Sequence, residues 1–223
     1  MMRKAIIYKE WIKTRWVLLT LLILSCTFTL YGLLSVERFI TLRGPVHLAQ
    51  ILLSRDILFI EMIRYIPLVC SICLALAQYV PEVMQKRLKL TLHLPLSVRK
   101  ITITMLGYGV ILLVAIFLLQ YVTLNAYFHH YLPRELVSHI MNTALVWFIS
   151  GIAAYGLICM VCIEPTWRVR VASLLLSAGL LRLYFIAPTP QAYDGVLIPL
   201  ALFSIVIVGF SFISIDRFKS GVQ

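Results

Sequence analysis

Long apolar runs separated by short polar or basic segments dominate the pattern of this 223-residue chain. Each run is near the ~20 residues that an α-helix needs to cross the hydrocarbon of a bilayer. The fifth run is the shortest, and the second and fourth contain polar interruptions. The pattern therefore predicts an all-α membrane protein with six transmembrane helices, at approximately 16–35, 57–80, 101–123, 140–163, 171–187 and 196–214.

The composition supports one membrane domain that covers all of residues 1–223. Hydrophobic residues make up 61% of the chain and charged residues 13%, whereas soluble domains are about half apolar and about a quarter charged. A soluble core of this size could not hide so much apolar surface, so lipid is expected to solvate it. The net charge of +11 comes from bases that flank apolar runs, so it predicts membrane topology and no nucleic-acid partner.

The first fifteen residues mix bases with apolar residues at helical spacing, among them Ile6, Ile7 and Trp11. This pattern is typical of an amphipathic helix on the membrane surface, so we predict an interfacial helix over residues 1–15. A signal peptide would end in a small-residue cleavage site, which is not clear here, and the first span is therefore expected to be retained. The bases of this segment are Arg3, Lys4, Lys9, Lys13 and Arg15.

Lysine and arginine are distributed unequally between the two sides of the predicted spans. Because these residues accumulate in cytoplasmic segments, the richer side predicts cytoplasmic N- and C-termini, which requires an even number of spans. The other side holds Arg38, Arg43, Arg55 and Arg134, while Arg64 and Arg182 lie within spans. The richer side holds Arg3, Lys4, Lys9, Lys13, Arg15, Lys86, Arg87, Lys89, Arg99, Lys100, Arg168, Arg170, Arg217 and Lys219.

Cysteine spacing raises the question of a metal site. Cys70-x-x-Cys73 and Cys159-x-x-Cys162 have the spacing of zinc ligands. Each pair falls within an apolar run, where a thiolate is poorly solvated and a free cysteine packs as a small hydrophobe. Packing is therefore favoured over metal or redox chemistry, and no metal ligand is assigned. Interfacial positions are likewise favoured for the outer-loop histidines, which are His129, His130 and His139.

No motif for nucleotide or nucleophilic chemistry stands out in the chain. Gly151 and Gly156 have the glycine spacing of a phosphate-binding loop, but Leu157-Ile158 follows where Lys-Ser/Thr is needed. These glycines are instead expected to permit close helix packing. We therefore predict no catalytic residue and no cofactor in this chain.

Ionisable residues inside the spans are hints of a polar site. Glu61 and Arg64 are three residues apart, on one face of the second span if it is helical. Arg182 lies about 16 Å along the fifth span at 1.5 Å per residue. One interpretation is an intramembrane ion pair or snorkelling to the interface. The other interpretation is an outer-leaflet site for an anionic headgroup or substrate at Arg64 and Arg182. Measuring transport by an Arg182→Leu variant would test this second interpretation.

The segment 81–104 between the second and third spans is the most informative part of the chain. It carries five bases and one acid, and Leu88 and Leu92 alternate with charges as in a short amphipathic helix. Pro95 stops this helix because it lacks an amide proton, and Ser97 is expected to cap the helix that continues as the third span. The segment can serve as a basic anchoring loop or as a docking helix for a soluble partner.

Within this segment, Glu82 precedes a leucine-rich turn that ends Leu94-Pro95-Leu96-Ser97, with Arg99 and Lys100 after it. The run resembles the loop of ABC-2 type transporter permeases, in which an acidic residue precedes Gly-Thr-Leu and a turn ending Leu-Pro-hydrophobic-Ser. The family's Gly-Thr falls on Lys86-Arg87 here, which is a departure from the pattern. A basic first helix, six spans and a loop at this place also resemble the family. The matching residues are Glu82, Leu88, Leu94, Pro95, Ser97 and Arg99.

The resemblance implies the permease subunit of an ABC exporter in the bacterial cytoplasmic (inner) membrane. Two such subunits, identical or homologous, would assemble face to face, and two ATP-binding cassette subunits, which hold ATP and Mg²⁺, would dock beneath them. The segment 81–98 would be the coupling helix, in which Leu92 and Leu94 enter a cleft of the ATPase, the bases pair with its acids and Pro95 sets the bend. The implied coupling residues are Glu82, Lys86, Arg87, Leu92, Leu94 and Pro95.

Two other classes of function stay open at this point. A non-transporting membrane partner, such as an assembly, immunity or sensory subunit, would use the same loop to bind a soluble protein. A dry, apolar interface between the spans, in place of a polar cavity, would favour it. An intramembrane enzyme is disfavoured, because Glu61 stands nearly alone and Ser71 and Ser150 have no evident base.

Overall fold

The computed structural model describes residues 2–44, 60–85, 97–187 and 192–220, and the described residues are overwhelmingly helical with no strand among them. The all-α prediction is therefore confirmed. The α-helices are α1 (Met2–Arg43), α2 (Ile66–Met84), α3 (Val98–Tyr131), α4 (Arg134–Ile163), α5 (Trp167–Arg182) and α6 (Leu197–Ser220). Short 3-10 helices are formed by Glu61–Ile63, Leu183–Phe185 and Asp194–Val196.

Five helical segments are long and apolar enough to cross a membrane, which gives the chain the character of a multi-pass membrane protein. They coincide with the first, second, third, fourth and sixth predicted spans. The fifth predicted span corresponds to α5, which has 16 residues. At 1.5 Å per residue this helix is about 24 Å long, which is shorter than the ~30 Å thickness of the hydrocarbon. The 3-10 helix Leu183–Phe185 continues it directly and adds about 6 Å. The five segments are Arg3–Arg43, Glu61–Met84, Val98–Tyr131, Arg134–Ile163 and Asp194–Phe212.

At two helix starts the structure differs from the predictions. Residues 1–15 do not form a separate helix, because α1 runs without a break from Met2 to Arg43. The hydroxyl of Thr14, near the expected junction, donates back to the carbonyl of Glu10 at 2.9 Å, as in a continuous helix. Ser97 occupies the N-cap position of α3, but its side chain makes no capping hydrogen bond. Its backbone carbonyl instead accepts from the amides of Lys100 and Ile101.

Helix α4 is the centre of the bundle, where it packs against α2, α3, α5 and α6. In its most apolar stretch 72% of the residues are buried, against 17% for α6. A Cβ on Gly151 would lie 3.0 Å from the carbonyl oxygen of Pro67, and one on Gly156 would lie 2.8 Å from Cα of Val208. The expectation that these two glycines permit close helix packing is therefore confirmed.

The outward faces of the helices carry large apolar side chains. A soluble protein limits such surface to small patches, whereas here it extends over α1, α3, α5 and α6, as a lipid environment requires. Examples are Leu30 and Leu34 of α1, Ile111 and Leu118 of α3, Leu174, Leu175 and Leu176 of α5, and Ile198, Leu202 and Ile205 of α6.

Candidate functional site: a buried ionic cluster beside the predicted coupling segment

The start of α1 and the end of α2 are joined by an ionic cluster of Lys9, Glu10, Lys13 and Glu82. Nζ of Lys9 lies 3.0 Å from Oε2 of Glu82, and Nζ of Lys13 lies 3.1 Å from Oε1 of Glu82. Lys13 also lies 2.7 Å from Oε2 of Glu10. Both glutamates are 0% exposed, while the side chains of Lys9 and Lys13 are 35% and 13% exposed. The cluster is therefore a buried connection with one edge at the surface.

The need for two ammonium groups follows from where Glu82 lies. It belongs to the last turn of α2, where the helix macrodipole disfavours a carboxylate, and its burial removes the water that would solvate the charge. Lys9 and Lys13 are four residues apart and so share one face of α1, from which both reach Glu82. With Glu10 included, the formal charges of the two glutamates and the two lysines balance.

Hydrogen bonds deeper in the bundle extend this connection to α3 and α4. The hydroxyls of Thr14 and Tyr108 lie 2.7 Å apart and join α1 to α3. Gln78 of α2 donates to the carbonyl of Met105 in α3 at 2.9 Å, and its Oε1 accepts from the hydroxyl of Tyr155 in α4 at 2.8 Å. Four helices are therefore tied together by buried polar contacts within a few turns of the predicted coupling segment.

Tyr155→Phe is expected to destabilise the protein by about 1–3 kcal/mol, because Oε1 of the buried Gln78 would lose its hydrogen-bond donor. Chemical or thermal unfolding of the purified protein in detergent measures this change. Tyr31→Phe is the matched control, since Tyr31 is 53% exposed on α1. Equal stability of the two variants would contradict the assigned role of Tyr155.

A second buried acid joins α4 to α5 and α6 at the same end of the bundle. Glu164 follows α4 and is 1% exposed. One carboxylate oxygen accepts from the hydroxyl of Ser214 at 3.1 Å, and the other lies 3.3 Å from Nη1 of Arg217. The backbone carbonyl of Glu164 accepts from Arg170 at 2.6 and 3.1 Å. These contacts hold the start of α5 and the end of α6 against α4.

The structure describes only part of the predicted coupling set. Glu82 is buried and contacts α1, so its side chain is not free to meet a partner directly. Lys9, Glu10 and Lys13 were not predicted as site residues. Glu10 is nevertheless the single acid in the first fifteen residues, which also contain five bases. The remaining predicted coupling residues, Lys86, Arg87, Leu92, Leu94 and Pro95, lie outside the described residues.

The predicted intramembrane site is only partly assembled. Arg64 donates from Nη2 to the carbonyl of Phe185 at 3.1 Å, and its guanidinium lies 5.6 Å from the ring centroid of Tyr65 and 5.4 Å from that of Phe185. This carbonyl follows the end of α5, where a cation is favourable. Glu61 and Arg182 are exposed, and no ion pair joins Glu61 to Arg64 in the described structure. An anion site at Arg64 and Arg182 stays a prediction.

The cysteines and histidines do not assemble into a metal site in the part of the chain that the structure describes. No group of three or more His, Cys, Asp or Glu residues there could hold a metal ion. All five cysteines are free, and Cys70 and Cys159 are fully buried among apolar neighbours. His129 and His130 are exposed at the end of α3.

Comparisons of the chain with protein-family models, with curated proteins and with solved structures found no match. Function is therefore inferred from the geometry above and from the resemblance of the 81–104 segment.

Proposed function

We propose that the chain is the membrane-spanning permease subunit of an ATP-driven exporter of the ABC-2 type. It would pair with a second, identical or homologous membrane subunit in the bacterial cytoplasmic membrane. ATP would be hydrolysed by separate ATP-binding cassette subunits, so this chain would move the substrate and would not itself be an enzyme. Residues 86–96 would carry the docking contact.

The ionic cluster is the observation that supports this proposal most directly. Glu82 lies four residues before Lys86 and is held by Lys9 and Lys13. A movement imposed on residues 86–96 would pass through Glu82 to α1, and through Gln78 and Tyr155 to α4. A transport subunit needs such a rigid connection, since it has to convert a motion at one face into a rearrangement of its spans.

The six-span topology with both termini in the cytoplasm belongs to the same proposal. Five segments meet the length and apolarity of a span, and α5 with its 3-10 extension would be the sixth. Of the helix ends that would face the cytoplasm, those of α1 and α2 meet at the cluster around Glu82 and those of α4, α5 and α6 at Glu164. Exposed bases such as Arg99 and Arg168 lie in the first turns of α3 and α5. A basic end of this kind is what cytoplasmic orientation requires.

A non-transporting membrane partner is the second candidate, and one observation favours it. The groove between α3 and α4, about 410 Å³ in volume, is lined by Phe117, Leu118, Phe148, Ile152 and other apolar residues. A transport path for a polar substrate would need polar lining in this chain or at a contact with a second subunit.

Co-purification with an ATP-binding protein encoded beside this chain tests the proposal. We expect a stable complex, and Leu92→Asp is expected to weaken it at least about tenfold, because a carboxylate in an apolar cleft is costly. Leu42→Asp is the matched control, since Leu42 is 83% exposed near the other end of α1. Failure of any ATPase to bind the intact chain would remove the permease assignment. A complex in which the ATPase rate is unaffected by this chain would favour the non-transporting partner.

A further inference from the structure

A groove of about 400 Å³ runs along the exposed face of α1. It begins level with the ionic cluster and ends about two and a half turns past Lys13. Positions 11 to 22 cover about 16 Å of helix at 1.5 Å per residue, which is about half of a bilayer's hydrocarbon core. The groove is lined by Trp11, Arg15, Trp16, Leu18, Leu19 and Leu22.

The lining changes in chemistry along the helix axis. The end nearer the N-terminus holds two indoles and a guanidinium, with Cζ of Arg15 at 5.5 Å from the ring centroid of Trp16. Trp11 and Trp16 are 45% and 68% exposed. The other end holds only leucine side chains. The charged and aromatic side chains therefore lie toward one end of the groove and the aliphatic ones toward the other, as the interface and the acyl chains do in one leaflet.

The charge of the surroundings selects among possible occupants. Glu10, Glu82 and Glu164 are buried, and Arg15 forms no ion pair with any described residue. A symmetric contact with a second copy would bring these bases against each other, which like charges disfavour. Among the described residues, the exposed bases at this end are Arg3, Lys4, Arg15, Arg99, Lys100 and Arg168.

We propose that the groove binds one phospholipid with an anionic headgroup. Its phosphate contacts the guanidinium of Arg15, its glycerol region lies against Trp11 and Trp16, and one acyl chain follows Leu19 and Leu22. The site needs only the membrane character of the chain and not the transport proposal. It would place a lipid contact on the same helix that carries Lys9 and Lys13.

Tryptophan quenching by brominated lipids tests the site, because two of its residues are fluorophores. The full chain carrying Trp167→Phe is reconstituted in phosphatidylcholine vesicles that contain brominated phosphatidylglycerol or brominated phosphatidylcholine. Trp147 is 5% exposed and supplies a constant background. We expect quenching to show a preference of about fivefold for phosphatidylglycerol over phosphatidylcholine. This is the ratio of affinities that one elementary charge near an anionic surface provides.

Two variants separate a built site from general surface charge. Arg15→Gln is expected to reduce the preference to about one, since it removes one charge-assisted contact to phosphate. Arg168→Gln removes an exposed base at the same end in α5, and it is expected to leave the preference unchanged. The proposal would be overturned if both lipids quenched the protein that retains Arg15 and Arg168 equally. It would also be overturned if the two variants lost the preference for phosphatidylglycerol to the same extent. Absence of quenching by either lipid would show that protein covers the groove and would overturn it as well.

Discussion

Glu82→Gln is expected to destabilise the protein by about 3 kcal/mol, the lower end of the range for breaking a buried ion pair. The glutamine keeps the shape of the side chain but removes the carboxylate that Lys9 and Lys13 both contact, so the cluster loses one negative charge. Lys13 is 13% exposed and cannot turn fully into water. Lys9 is 35% exposed and can regain part of its solvation. The expected loss of stability is therefore at the lower end of the range for a broken buried ion pair.

Unfolding of the purified protein in a mild detergent measures this effect, with Glu37→Gln as the control. Glu37 is an exposed glutamate on α1, far along that helix from Lys9 and Lys13, so its variant should stay within ~0.5 kcal/mol of the original protein. The two lysines also give an internal ranking. Lys13→Met should cost more than Lys9→Met, because Lys13 meets both glutamates and is less exposed. The same loss for Glu82→Gln and Glu37→Gln would show that the cluster contributes nothing specific.

Gly156→Ala is expected to destabilise the protein by about 1–3 kcal/mol, the usual cost of overpacking. The added Cβ would lie 2.8 Å from Cα, 2.9 Å from Cγ2 and 3.1 Å from the backbone nitrogen of Val208. Backbone atoms cannot rotate away as a side chain can, so α6 would have to move off α4. Since the end of α6 is held to Glu164 by Ser214 and Arg217, that movement would also strain the second acid-centred cluster.

Gly179→Ala is the matched control for this effect, because a Cβ on Gly179 of α5 would have no heavy atom within 4 Å. It should cause no loss of stability, since alanine is a better helix former than glycine. Thermal unfolding in detergent compares the two variants directly. Adding Val208→Ala to Gly156→Ala should recover part of the loss, because Cγ2 of Val208 is one of the overlapping atoms. A Gly156→Ala protein as stable as Gly179→Ala would mean that α4 and α6 are farther apart than described.

Span positions were predictable because apolar runs are a local property of the chain. The first four runs and the sixth were recognised from length and hydropathy alone, and each corresponds to a helix that could cross a membrane. The fifth run was recognised as the shortest, and α5 is indeed the helix that falls short by itself. The segment predicted as a separate interfacial helix, residues 1–15, is instead the start of α1, because basic residues change the environment of a helix without interrupting its backbone hydrogen bonds.

The candidate site was predictable only in part, because its contacts are not a local property of the chain. Glu82 was recognised from the local pattern of its loop, but its partners Lys9 and Lys13 are 73 and 69 residues away in the chain. Nothing local distinguishes those two lysines from Arg3, Lys4 or Arg15, which belong to the same basic segment. The docking of α1 on α2 decides which bases are buried with an acid and which remain exposed.

By itself the sequence determined the all-α membrane class, the approximate positions of five helices that could cross a membrane, the basic N-terminal segment and the close-packing role of Gly151 and Gly156. These follow from composition, periodicity and side-chain size, which act residue by residue. Only the tertiary structure decided that α4 is the central helix, that Tyr155 meets Gln78, and that Glu82 and Glu164 are each the centre of a buried ionic contact. Those pairings depend on how helices far apart in the chain pack, because a buried charge is stable only where that packing supplies an opposite one.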